Sequence, residues 1–155
     1  MNYFIVFQNK TFREEKNGQY LWAPQRNNQN RKMFHWENMK KIQPGDIIFS
    51  MYRQEMVSVN VATKKAIEAN NPFIEHEKTW ARDGWLVKAD YKVLSRPVSM
   101  KKHMNEILPL CPPKYSHFTR KGTGAQGYLF EIDVNLGDLL LELAKRNNDG
   151  LKLNR

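Results

Sequence analysis

Apolar residues in this chain come in short runs that start and stop at turns. That pattern limits the fold more than any other feature of the sequence. Tyr3-Phe4-Ile5-Val6-Phe7 is an unbroken β-branched and aromatic run, the signature of a strand buried on both faces. Pro44-Gly45-Asp46 is a turn signal, and Ile47-Ile48-Phe49-Ser50-Met51 leaves it at once as a second strand. Arg53-Gln54-Glu55 reads as a hairpin loop into a third, Met56 to Ala62, whose apolar residues mostly alternate. Leu86 to Leu94 and Tyr128 to Ile132 complete the set. Strands joined by hairpins and loops do not alternate with helices as βαβ units must. The pattern therefore predicts an α+β domain, a mixed or antiparallel sheet of five to six strands curled into a small barrel with peripheral helices.

The connections carry weaker signals. Lys10 to Gln19 reads as a short helix or loop, and Gln25 to Lys32, rich in Asn and basic residues, as an exposed loop. His35 to Lys41 has the length of one or two helical turns. Lys64 to Asn70 is read as helical, stopped by Asn70-Asn71-Pro72, and Met100 to Leu108 as a helix with Ser99 at its N-cap. Leu136 to Lys145 is an amphipathic closing helix. One domain over residues 1–146 with a polar tail over 147–155 is the expected organisation.

Charge points to a partner. The 25 Lys and Arg against 16 Asp and Glu leave a net charge of +9, which makes nucleic acid the default candidate. The single cysteine, Cys111, excludes an internal disulfide or a Cys-rich zinc site and suits a reducing, cytoplasmic setting. No apolar run approaches the ~18–20 residues of a membrane span, so no membrane partner is expected.

Catalytic and metal signals are poor. His35, His76, His103 and His117 share no zinc-ligand spacing with one another or with Cys111, and Glu75-His76-Glu77 reads as a solvated charged loop. Gly122-Thr123-Gly124-Ala125-Gln126-Gly127 lacks the Gly-Lys-Ser/Thr ending of a phosphate-binding loop and precedes a strand. No cofactor and no catalytic residue are assigned.

Aromatic and basic residues are better placed. Trp22 lies in Leu21-Trp22-Ala23-Pro24, and Trp80 and Trp85 lie five apart. Any one Trp is ordinarily a core residue, but flat indoles brought together from separate segments can sandwich a base. Arg26, Arg31 and Lys32 follow Trp22, Arg82 lies between the other two, and Lys101, Lys102, Arg120 and Lys121 form a second basic set. Such residues fit phosphate contacts, which position a nucleic acid while a pocket supplies specificity.

These residues carry a resemblance. Trp22-Ala23 after the first strand, the Trp80/Trp85 pair before a long strand, the Pro44-Gly45-Asp46 turn and the Gly-rich loop into Tyr128 to Ile132 resemble the PUA superfamily near the YTH and EVE domains. They are similar, too, to the N-terminal sensor modules of bacterial HNH endonucleases that act on modified DNA. The resemblance covers roughly residues 3 to 133. It implies a PUA-like barrel that takes a methylated or hydroxymethylated base, flipped out, into a cage of Trp22, Trp80 and Trp85. Gln8 or Asn9 and the Ala23 backbone would read the base edge. DNA is the expected ligand, as a sensor in a modification-dependent restriction system; the alternatives are an RNA-binding or RNA-modifying protein of the same superfamily, or a protein-interaction domain. Gln8-Asn9-Lys10-Thr11 lacks the acidic residue that YTH domains offer the base, and the chain has no HNH motif. A nuclease would then be a separate domain or partner, and this chain would not be an enzyme.

Overall fold

Tyr3–Phe7 form β1, the strand about which the rest is arranged. In the computed structural model, which describes residues 1–73 and 83–153, β1 pairs in parallel with β3 (Ile47–Tyr52) and antiparallel with β7 (Leu129–Ile132). From β3 the sheet continues through β4 (Glu55–Ala62) to the long β6 (Asp83–Ser99) and ends at β2 (Tyr20–Pro24), giving the order β2-β6-β4-β3-β1-β7. A further strand, β5 (Ile67–Asn70), pairs with the start of β6. The sheet curls into a half-barrel, so the fold is α+β and PUA-like.

Each face of the sheet has its own core. Tyr3 and Ile5 project to one face with Ile47 and Phe49, under Leu136, Leu140 and Leu143 of α4 (Val134–Asn147). Phe4 and Val6 project to the other face with Leu21, Ala23 and Val87. Met39 and Ile42 cap this second core from the segment after α2 (Phe34–Glu37). Burial of both faces explains why the first strand is apolar without alternation. The expected turn is present: Asp46 N–H donates to Gln43 O at 3.0 Å, with Gly45 at φ +92°. α1 occupies Phe12–Gly18, and Asp133 caps α4 by accepting from Asn135 N–H at 2.8 Å.

The sequence reading differs from the structure in three elements, and β6 runs past the expected Leu86 to Leu94 at both ends. Residues 64–70, read as helical, give instead the edge strand β5. Its Ile67 and Ala69 sit opposite Leu86 and Gly84, and that pairing overrides a weak helical preference. β2 was not anticipated. It is short, ends at Pro24, and is defined by its register with β6. The stretch from Met100 to Leu108 is broken into a 3-10 turn at Lys101–His103, α3 at Met104–Ile107 and a second 3-10 turn at Leu108–Leu110. Met100, Met104 and Ile107 point into the core and Pro109 prevents a longer helix. Ser99 Oγ still accepts from Lys102 N–H, at 3.4 Å. Beyond α4 the Asn148 side chain bridges Arg96 N–H (2.9 Å) and Arg96 O (3.1 Å), and Leu151 and Leu153 pack on the core.

Candidate nucleic-acid interface

The half-barrel does not close. Among the described residues β2 pairs only with β6 and β7 only with β1, leaving a seam between the two ends of the sheet. A cavity of about 690 Å³ opens there. Trp22 and Pro24 of β2, His35 and Trp36 of α2, the chain after β1, the β3–β4 turn and the Gly122–Tyr128 segment surround it.

Side chains latch the seam. Glu15 of α1 is fully buried and accepts from Thr11 Oγ1, from Gln8 Nε2 (3.1 Å), from Trp22 N–H (2.7 Å) and from the Tyr128 hydroxyl. Burial outweighs these bonds and pushes the Glu15 carboxyl up to about 7. Burial and the neighbouring Glu15 hold the Tyr128 and Tyr91 phenols well above their usual range, so both stay neutral donors. Asn38 ties the turn after α2 to β7, donating to Leu129 O at 2.9 Å. His35 Nδ1 accepts from Tyr128 N–H at 3.0 Å, and partial burial lowers its pKa, so a neutral imidazole faces the cavity.

The placement of Trp22 follows from strand geometry. It is 2 % exposed, donates Nε1–H to Ala69 O at 3.0 Å and meets Phe73 edge-on at 5.7 Å. Its indole lies flat over Gly84, where an added Cβ would fall 2.2 Å from the ring. Only glycine admits it there. Across the β2–β6 pair Ala23 stands opposite Trp85, and side chains alternate between faces. Ala23 and Trp85 therefore share the face of the second core, and Trp22 and Trp85 do not face one another. Trp85 donates Nε1–H to Glu37 at 3.2 Å, with Lys40 over its ring at 5.3 Å. Trp80 and Arg82 lie outside the described residues.

The base-edge candidates separate in the same way. Gln8 is buried, and its amide N–H groups go to Glu15 and to Tyr91 Oη at 2.9 Å. Asn9 is exposed on the cavity wall, its Oδ1 accepting from Arg53 N–H at 2.8 Å. Trp22 N–H points to the seam and Gln25 N–H bonds Asp83 O, so the intervening Ala23 backbone faces β6 rather than the cavity.

The other basic residues singled out in the sequence lie on exposed loops. Arg26, Arg31 and Lys32 are exposed on a loop organised by Asn27, whose Oδ1 accepts from Gln29 and Arg31 N–H at 2.9 Å each. Lys32 lies 3.8 Å from Glu37. The second set is brought together by packing: a Cβ at Gly122 would sit 2.7 Å from Lys101 N, so the loop of Arg120 and Lys121 lies against Lys101 and Lys102. Two further cations, Lys10 and Arg53, line the cavity itself. Arg53 and Gln54 are both at positive φ, +49° and +65°, in a two-residue hairpin turn that usually takes Asn-Gly. Backbone strain of this kind gathers at functional sites. Sequence reasoning passed over Lys10, Glu15, Trp36, Arg53 and Tyr128. The Arg-Gln pair at a tight hairpin was the one readable signal. Among the described residues no group of three or more His, Cys, Asp or Glu could hold a metal ion, and no helix is long and apolar enough to cross a membrane.

No family model matches the chain, and no curated protein matches it in sequence. Solved structures match it over nearly its whole length. Human THYN1, solved with DNA containing 5-methylcytosine, superposes with a TM-score of 0.58 at 14% identity, covering 94% of this chain and 98% of that one. The Pho92 YTH domain, solved with m6A, gives 0.56 at 10% identity and covers 93% and 86%. The N-terminal domain of Staphylothermus marinus McrB gives 0.54 at 13% identity and covers 93% of each chain. At these identities the likeness shows a shared fold.

Proposed function

We propose that this domain reads a modified base in nucleic acid, taking the base out of its stack into the seam cavity. The carrying observation is the cavity itself, lined by aromatic side chains and by Lys10 and Arg53, in a chain of net charge +9. Two of the matching folds were solved with a methylated base or with DNA containing one, which supports the reading. Trp36 supplies stacking surface, worth about 1–3 kcal/mol per base, against a flipping cost of a few kcal/mol, and the buried Trp22 backs the wall. Trp80, outside the described residues, is the proposed further wall. Asn9 and the backbone of the Gly122–Gly127 loop read the edge of the base. Lys10 and Arg53 hold the nearest phosphates, and the two outer basic sets hold those further along the strand. Glu15 and Gln8 act from behind, fixing the β2 backbone that carries Trp22. In this reading the chain is a reader, and any strand cleavage in a restriction system belongs to a fused or associated nuclease.

The test is a set of DNA and RNA oligonucleotides differing only in 5-methylcytosine or N6-methyladenine, measured by fluorescence anisotropy. At least one modified member should bind about tenfold more tightly than its plain counterpart, and Trp36→Ala should erase that ratio while the domain stays folded. Equal affinity for every modified and plain pair would remove the proposal.

A further inference from the structure

A second cavity, of about 670 Å³, backs onto the first, and Ala125 and Gln126 line both. One strip of chain is therefore the wall between them. Phe34, His117 and Phe130 give the second cavity an aromatic lining: Phe34 meets Phe130 edge-on at 5.8 Å, and His117 lies 5.9 Å from the same ring. Tyr115 stands at its rim.

Three observations set this place apart. Phe34 and Tyr115 are 65% and 86% exposed, large aromatic surfaces left open to solvent. Tyr115 is held at φ +60°, a conformation that strains a bulky side chain and in which Asn or Gly would sit more easily. Strain of this kind gathers at functional sites. His117, 9% exposed, carries a buried Nδ1 with no hydrogen-bond partner.

We infer that the second cavity takes the nucleobase next to the one in the seam cavity, stacked on Phe34 and Tyr115, so that the ligand is a single strand at both positions. This rests on the base-reading proposal above. The shared wall puts the two cavities within reach of neighbouring nucleotides of one strand. Charge favours a base over a phosphate inside: Glu131 and Asp133 line the cavity and repel phosphate, while their oxygens can accept from base amino groups. Lys41 on the lining and Lys114, over the Tyr115 ring at 5.3 Å, supply cations for the connecting phosphates. A duplex keeps the neighbouring base stacked and paired, and so leaves this cavity unused.

The experiment is a coupling measurement on single-stranded DNA and RNA carrying one 5-methylcytosine or N6-methyladenine, or the plain base. The adjacent nucleotide on either side is intact or abasic. For the unaltered domain, an abasic neighbour on one side should weaken binding about 5- to 150-fold, the worth of one stacked base. In the Phe34→Ala/Tyr115→Asn variant the same abasic change should matter less than about twofold, because the stacking surface is gone. Both residues are exposed, so this variant keeps its fold, checked by circular dichroism. The two readings fail separately. A modified-to-plain ratio of one removes base reading and leaves the coupling to be judged alone. A preserved ratio without coupling removes the second subsite. Unchanged oligonucleotide affinity in the double variant would likewise overturn it and assign Phe34 and Tyr115 to a protein-facing surface.

Discussion

Glu15 makes the pH response of this molecule a residue-scale question. Its carboxyl ordinarily titrates near 4.5 and is pushed up to about 7 in the fold, so the folded chain holds a proton that the unfolded chain has released. The Glu15 contribution is complete below about pH 4.5 and is lost as the pH rises through about 7. The full span is about 3 kcal/mol. Partial burial lowers the pKa of His35 and His117, which works the other way and weakens the fold as pH drops below about 6.5. Urea denaturation of the parent and of Glu15→Gln from pH 5 to 8 separates these terms. The difference in unfolding free energy should shrink as pH rises, with the variant less stable at pH 5 because the four donors around Glu15 keep a single side-chain oxygen. Gly84 gives a second prediction. Gly84→Ala drives a methyl group into the Trp22 indole, so it should cost about 1–3 kcal/mol in thermal unfolding and weaken the preference for a modified base. Trp22 was legible in the sequence as an aromatic of interest. Its orientation was not, because Leu21-Trp22-Ala23-Pro24 contains nothing that fixes which face of a strand it takes.

At the scale of elements, the strands whose apolar runs were long enough to bury both faces were readable, and the edge pieces were not. β1, β3, β4 and β7 lie within a residue of their expected bounds. β2 and β5 exist because β6 is there to pair with them, and nothing local specifies them. The β3–β4 hairpin carries the sharper lesson. Its turn residues, Arg53 and Gln54, both sit at positive φ although neither suits it, and both line the cavity. Replacing them by Asn-Gly should raise stability by about 1–2 kcal/mol, read as a higher Tm. The same change removes a rim cation, so oligonucleotide affinity should fall. An exchange in which both quantities rise would mean that Arg53 serves the turn alone.

For the molecule as a whole, charge was the most legible property, and its arrangement the least. The excess of +9 makes a polyanion the expected partner, but only the packing of Gly122 on Lys101 puts the loops of Lys101, Lys102, Arg120 and Lys121 side by side. Replacing Arg26, Arg31 and Lys32 together by Ala should lower the slope of log K against log salt by about 2 for a single strand. The modified-to-plain ratio should hold constant, because phosphate contacts carry no base information. An unaltered slope would leave the second basic set as the phosphate track.

The unpaired seam has a kinetic meaning as well. Where a closed barrel would run a continuous ladder of amides between β2 and β7, this one is fastened at Glu15 and Tyr128 by side chains that can rotate away. Small openings of the seam then require no strand to leave its partner. The seam-facing amide proton of Trp22 should exchange with solvent through such openings well before the centre of the sheet does, at an opening free energy below that of global unfolding. A ligand seated between the two edges would supply the missing cross-link, and slowed exchange of that amide would record its residence.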